Sequence, residues 1–185
     1  MMLDARGLGE YINGHLTRSL FRLEVLDVYT VPGEAERFAA YLAGEPGPDP
    51  VSLERALRVV RADAAKGVQS RKVHVLTSPL SDYLRFECEW GFAYSGPAGQ
   101  HTRILDLAER ARPAAFVDHD FYLVDDERVL RMYYDGEGHF VGAEEVAAEL
   151  LPRYRAARDA AWAEGQPFEQ WWAAHPHEHR ANRAS

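Results

Sequence analysis

The chain has 185 residues, 46% hydrophobic and 27% charged, with a formal net charge of -8 at neutral pH. That length suits one domain with a sizeable core, and no run approaches the roughly 18 apolar residues that span a bilayer. The acidic balance argues against nonspecific binding to a nucleic-acid backbone, and a single cysteine, Cys88, excludes an internal disulfide.

The N-terminus lacks the basic-then-apolar layout of a signal peptide, so a cytoplasmic protein is expected. Among 21 basic residues only Lys66 and Lys72 are lysines. Arginine abundance on this scale matches a GC-rich coding bias and is weak evidence for phosphate recognition.

After a polar start, Arg22 to Val31 alternates and carries β-branched residues, which predicts a strand. Pro32 ends it. The following PGEAERFAAYLAG reads as a short helix opened by proline and stopped by Gly44, and Glu45 to Pro50 is a turn-rich connector. Pro50 to Lys66 is an amphipathic helix with Leu53, Ala56, Leu57, Val60 and Ala64 as its apolar stripe and Gly67 at its close. Ser70 to Ser78 alternates again as a strand. Helix, glycine turn and strand in this order imply a βαβ unit with a partly parallel sheet.

The stretch SPLSDYLRFECEWGF, Ser78 to Phe92, fits two patterns. As a strand it would alternate Leu84, Phe86, Cys88, Trp90 and Phe92 against Arg85, Glu87 and Glu89. As a helix it begins with Ser78 as N-cap and Pro79 at the first helical position, with Asp82 placed against the helix dipole. A fresh ten-residue strand directly after a capped proline is less natural, so a helix from Pro79 to Trp90 or Tyr94 is preferred. A loop and a short strand, TRILDLA, follow. From Asp120 the pattern becomes a meander of three strands, DFYLVDD, VLRMYYD and HFVGAEEV, with DGEG as a hairpin signal. Glu144 to Ala174 reads as helical. Residues 1–174 are therefore expected to form one α/β domain with a mixed sheet covered by helices, and 175–185 a disordered tail.

The motifs do not add up to a complete catalytic set. Cys88 has no basic neighbour in sequence and reads as a small buried hydrophobe. No nucleophile elbow or glycine-rich phosphate loop occurs. The tail histidines His175, His177 and His179 alternate without a scaffold, so no metal and no cofactor is expected. Asp118, Asp120, Asp125 and Asp126 bracket a strand and could bind Mg²⁺ or act as acid and base, although aspartates also serve as loop and hairpin residues. On the helix from Pro79, Asp82 and Arg85 are an i,i+3 ion pair, while Tyr83 and Glu87 are i,i+4 neighbours facing the sheet. Tyr83, Arg85 and Glu87 are the leading site candidates: a structural network, or the floor of a polar pocket bounded by this helix and the strand from Asp120. Trp171 and Trp172 would anchor a protein partner if exposed.

SPLSDYLRFE, then DFYLVDDERVLRMYYDGEGHFVGAE, then RYRAARDAAW with EQWW resemble a family of actinobacterial proteins known as a domain of unknown function, with elements SDYxRFE, DFWLFDDRxV and RDAAW. The pattern falls on Ser81, Asp82, Tyr83, Arg85, Phe86 and Glu87, then on Asp120, Phe121, Leu123, Asp125 and Asp126. Tyr122 replaces a common Trp, and His119 a common Asn. The resemblance implies encoding near helix-turn-helix regulators and their small partner proteins. A more distant likeness is to one half of the phospholipase D superfamily fold, whose pattern is His-x-Lys-x4-Asp. His119 and Asp126 have that spacing, but Phe121 stands where lysine would stabilise developing phosphate charge.

A non-catalytic regulatory or protein-interaction domain is therefore expected, sensing a small ligand or binding a helix-turn-helix regulator or small partner protein. Direct nucleic-acid binding and membrane association are not expected. The alternative is a hydrolase or phosphotransferase using His119 with Asp120, Asp125 and Asp126.

Overall fold

In a computed structural model that describes residues 1–182, seven strands form one mixed sheet in the order β6-β5-β4-β1-β2-β3-β7. Three of them, β1 (Ser19–Glu24), β2 (Gln69–Leu76) and β3 (Gln100–Asp106), run parallel at its centre. Beside β1 lies the expected antiparallel meander, β4 (Phe121–Val124), β5 (Arg128–Tyr134) and β6 (Phe140–Glu145). A two-residue strand, β7 (Gln166–Pro167), caps the other edge against β3. The chain is thus α/β, with a parallel centre and an antiparallel flank.

Parallel neighbours need crossovers, and here the crossovers are the predicted helices. Between β1 and β2 come α2 (Ala35–Leu42) and α3 (Pro50–Ala65); the latter is capped by Asp49, whose carboxylate accepts from Ser52 N at 2.8 Å. Between β2 and β3 comes the Ser78–Phe92 stretch, and it is helical. Its N-cap is Ser81, not Ser78: the Ser81 hydroxyl accepts from Leu84 N at 3.1 Å, and the Ser78–Pro79 bond before it is cis. The helix starts as α4 (Asp82–Phe86), widens into a π-helical turn over Glu87–Phe92, and resumes as α5 (Ala93–Ala98). Gly99, at φ 115°, ends it in the left-handed conformation that glycine adopts without steric cost.

One sheet face is apolar. Phe21, Leu23, Val73, Val75, Leu105, Phe121 and Leu123 pack there with Tyr154, Ala157 and Ala161 of α6 (Leu151–Glu164). The crossover helices cover the other face. Leu84, Cys88 and Phe92 meet Ile104 of the sheet and Phe168 and Trp171 of α7 (Phe168–Ala174), while Tyr29, Tyr41, Tyr83, Phe86 and Trp90 make an aromatic cluster. Cys88 is fully buried.

Three further expectations change. The first strand spans Ser19–Glu24, not Arg22–Val31, because Asp120 takes the backbone N–H of Val25 at 2.9 Å and the chain leaves the sheet there. The polar start holds α1 (Ala5–His15), capped by Asp4 and carrying no buried residue; an amphipathic pattern with little apolar weight hid it. The segment after Ala174 is not a free tail. Over residues 175–182 it forms two 3₁₀ turns, and His175 and Glu178 are buried.

Candidate functional site

The crossover-covered face of the central strands is polar. Arg22 and Glu24 of β1 stand beside Lys72 and His74 of β2 in register, and Glu24 is the hub. Its carboxylate lies 2.9 Å from Arg22 Nη2, 3.0 Å from Lys72 Nζ and 3.2 Å from His74 Nδ1. Burial pushes the Glu24 pKa up, but the charges of Arg22 and Lys72 and the His74 contact outweigh it and hold the group well below the usual carboxylate range. The other His74 nitrogen, Nε2, faces the Leu26 carbonyl at 3.1 Å, so both ring nitrogens meet oxygen atoms of β1 and the residues after it.

Asp120 closes the network at the β4 end. It accepts from Val25 N at 2.9 Å and from the Tyr29 hydroxyl at 2.8 Å. Burial raises its pKa, and the Glu24 charge acts the same way against Arg22, which lowers it. Both carboxylate oxygens are committed within the protein.

Over Lys72 hangs the π turn. Its wide ring is defined by Ala93 N donating to Cys88 O, five residues back, and π turns inserted in α-helices recur at functional sites. The wider register presents the Trp90 carbonyl to Arg37 Nη2 of α2 at 2.8 Å. It also places Glu87 above Gly91 so closely that a Cβ there would lie 3.2 Å from each Glu87 carboxylate oxygen. Tyr83, one turn earlier, donates its hydroxyl to Glu34 Oε2 at 2.9 Å.

These groups surround a cavity of about 140 Å³. Glu34 at the N-cap of α2 and Arg37 within it, Leu57 and Val60 from α3, Lys72 from β2, and Glu87 and Trp90 from the π turn line it. Among the described residues, no hydrogen bond or ion pair reaches the Glu87 carboxyl. Its pKa is pushed up to about 7, by burial first and then by the Glu34 charge, with Lys72 opposing. A carboxyl without a protein partner, titrating near neutrality beside a cavity, marks a functional candidate. A larger surface hollow of about 620 Å³ lies beside Arg128 and Glu145; those two exposed side chains already pair with each other at 2.9 Å.

The sequence-predicted residues therefore divide. Tyr83 and Glu87 belong to one site, Tyr83 through Glu34. Arg85 turns away, with Nη2 2.6 Å from Glu178 and Nη1 3.3 Å from Asp82. Asp120 lies on the far side of the Glu24 network, so β4 does not bound the cavity. Asp125 and Asp126 are turn residues, both at positive φ. Asp125 accepts from the backbone N–H groups of Thr17, Arg18 and Ser19 and from the Thr17 hydroxyl. Asp126 pairs with Arg155 and Arg158.

His119 precedes β4 and Asp126 follows it, so the intervening strand separates them by well over 10 Å at ~3.3 Å per residue. His119 contacts the Tyr154 hydroxyl at 2.9 Å and Asp118 at 3.3 Å, and Phe121 is fully buried core. His119 and Asp126 do not converge. Trp171 is fully buried and Trp172 half-buried, so the exposed pair a partner anchor needs is not formed.

Sequence reasoning missed Glu24, Lys72, His74, Glu34 and Arg37. The available signal was opposite charges on alternate residues of two strands that a crossover makes neighbours.

The model of DUF6879, a domain of unknown function, matches residues 8–173, and the chain belongs to that family. A search of curated proteins found no match. Among the described residues no helix is long and apolar enough to cross a membrane.

Proposed function

We propose that the domain is a non-catalytic ligand-sensing module of a regulatory circuit, and that its ligand is a small amine held in the cavity at Glu87. The observation that carries this reading is the Glu87 carboxyl, which lines the cavity with no hydrogen bond or ion pair among the described residues, while burial and Glu34 raise its pKa to about 7. Two carboxyl groups, Glu34 and Glu87, offer a place for a cation. The basic groups of the wall are already engaged, Lys72 by Glu24 and Arg37 by the Trp90 carbonyl. Leu57, Val60 and Trp90 suit a short aliphatic body. At ~30 Å³ per water, the volume holds about four or five waters, which limits the ligand to a few non-hydrogen atoms.

Binding a cation would favour ionised Glu87 and release a proton near neutral pH. The wall is formed by α2, α3 and the π turn, so occupancy would be felt by all three. A helix-turn-helix regulator or small partner protein is the proposed recipient of that signal.

The test is calorimetric titration of a panel of short aliphatic amines and neutral isosteres into the wild type and Glu87→Gln. The expected result is amine-selective binding that tightens as pH rises through about 7, releases protons, and weakens about tenfold in the variant, equivalent to ~1.4 kcal/mol. No binding of any panel member at millimolar concentration, or equal binding to Glu87→Gln, would overturn the reading.

A further inference from the structure

Far along β3 from the cavity wall, three potential metal ligands meet. Asp106 ends β3, Glu109 sits in the turn after it, and His175 follows α7. One donor atom from each lies within 4.8 Å of the others. Asp106 is 2% exposed. Its Oδ1 accepts from Ser78 N at 3.2 Å and Ala108 N at 2.9 Å, which fixes the carboxylate plane. Its Oδ2 is buried and, among the described residues, accepts no hydrogen bond.

His175 is equally prepared. Nδ1 meets the Trp171 carbonyl at 2.7 Å, the ring stacks on the Trp171 indole at 4.2 Å, and Nε2 is thereby aimed at Glu109 Oε1, 3.0 Å away. A histidine whose Nδ1–H is held by a backbone carbonyl is the common arrangement for ligation through Nε2. With Nδ1 donating, Nε2 and two carboxylates converge on a point that calls for positive charge.

We propose that Asp106, Glu109 and His175 form a site for a divalent first-row transition-metal ion. Mixed imidazole and carboxylate donors suit Zn²⁺ or Mn²⁺, and bonds of about 2.1 Å would bring donors to roughly 3–3.5 Å of one another. Glu109, with a side chain 43% exposed, has the freedom to make that adjustment. Three protein ligands leave at least one coordination position for water or another donor. The ion would staple the segment after α7 to the end of β3, and this site does not depend on the ligand proposed for the cavity.

The experiment is titration of the metal-stripped full chain with Zn²⁺ and Mn²⁺, with Co²⁺ absorption as a readout of coordination. The variants are Glu109→Gln, His175→Gln and His177→Ala, each checked for native circular dichroism. His177→Ala tests the exposed tail imidazole, whose side chain is 69% exposed. The expected pattern is one ion per chain, affinity reduced at least about tenfold by Glu109→Gln and His175→Gln, and a less than about threefold effect of His177→Ala, in line with losses for displaced ligands and their supports. Should His175→Gln fail to fold, Glu109→Gln carries the comparison. Any other pattern, including no ion bound by the wild type at 0.1 mM or so, overturns the site.

Discussion

Arg85 Nη2 and Glu178 Oε2 lie 2.6 Å apart, both almost fully buried and 93 residues apart in sequence. Glu178 Oε1 also accepts from Leu80 N at 3.1 Å. This pair ties the segment after α7 to the start of the π-containing helix, and it explains why residues 175–182 are ordered. Removing one partner leaves the other charge buried alone, at a cost of about 3–5 kcal/mol. Glu178→Ala should therefore lower the urea midpoint sharply, and Arg85→Met with Glu178→Leu together should recover most of the loss. A double variant no more stable than Glu178→Ala would show that packing, not charge, dominates there.

Glu87 makes a stability prediction with the opposite sign to most carboxylates. Its folded pKa, about 7, lies above the ordinary value near 4.5. The folded state therefore binds more protons between those values, and unfolding free energy falls as pH rises from about 4.5 to 7. The full shift corresponds to about 3 kcal/mol at ~1.4 kcal/mol per unit; the partial exposure of Glu87 to the cavity reduces this to about 1–2 kcal/mol. Glu87→Gln should be the more stable protein at pH 8, and the two should converge near pH 4. Chemical denaturation across this range measures both. A variant less stable than the wild type at pH 8 would assign Glu87 a structural role.

Gly91 gives Glu87 its seat. In Gly91→Ala the new methyl presses on both carboxylate oxygens, while alanine favours the helix by about 0.5–1 kcal/mol. The fold should survive with little net change in melting temperature. The carboxyl, displaced toward cavity water, should titrate lower by about half a unit or more. Carbon-detected NMR of the Glu87 carboxyl reads this directly, and an unmoved midpoint would mean the seat is not needed.

Asp125 responds to acid. Burial raises its pKa, but hydrogen bonds from Thr17, Ser19 and Arg18 outweigh that and hold it at about 2. Its folded value lies below the unfolded one, so its contribution is present above about pH 4 and lost as pH falls toward 2. Asp125→Ala should cost about 2–3 kcal/mol at pH 7, because it strands three N–H groups at the entry to β1. The difference between variant and wild type should shrink below pH 3 in thermal denaturation.

Much of this architecture is legible in the sequence. The alternation in Ser70–Ser78, the apolar stripe of Pro50–Lys66 and the DGEG turn each specify an element through side-chain period or backbone chirality. Alternation, however, reports that two faces of a strand differ; it does not report that the polar face is wet. Lys72 and His74 look like a solvent-facing row until the crossover helices cover them.

Tyr83, Arg85 and Glu87 likewise look like one motif. Residues two apart on a helix do not face each other, so Arg85 leaves for Glu178 while the other two share Glu34 and the cavity. The metal-ligand trio is invisible for a different reason: Asp106 and His175 are brought together only by the docking of α7 and the order of the segment behind it.

The wide turn at Glu87–Phe92 makes chain length itself a structural variable. The turn accommodates one residue more than α-helical geometry would, so deleting one residue there would close it to a plain α-helix with the helix beyond still in place, Phe92 against Phe168 and Ser95 in the cavity wall. What the deletion would remove is the seat of Glu87 above Gly91 and the Trp90 carbonyl offered to Arg37. The helix can absorb substitutions in the turn, and even the loss of one residue, but the site cannot absorb that loss, and the spacing between Tyr83 and Phe92 is as much a part of the site as the carboxyl it carries.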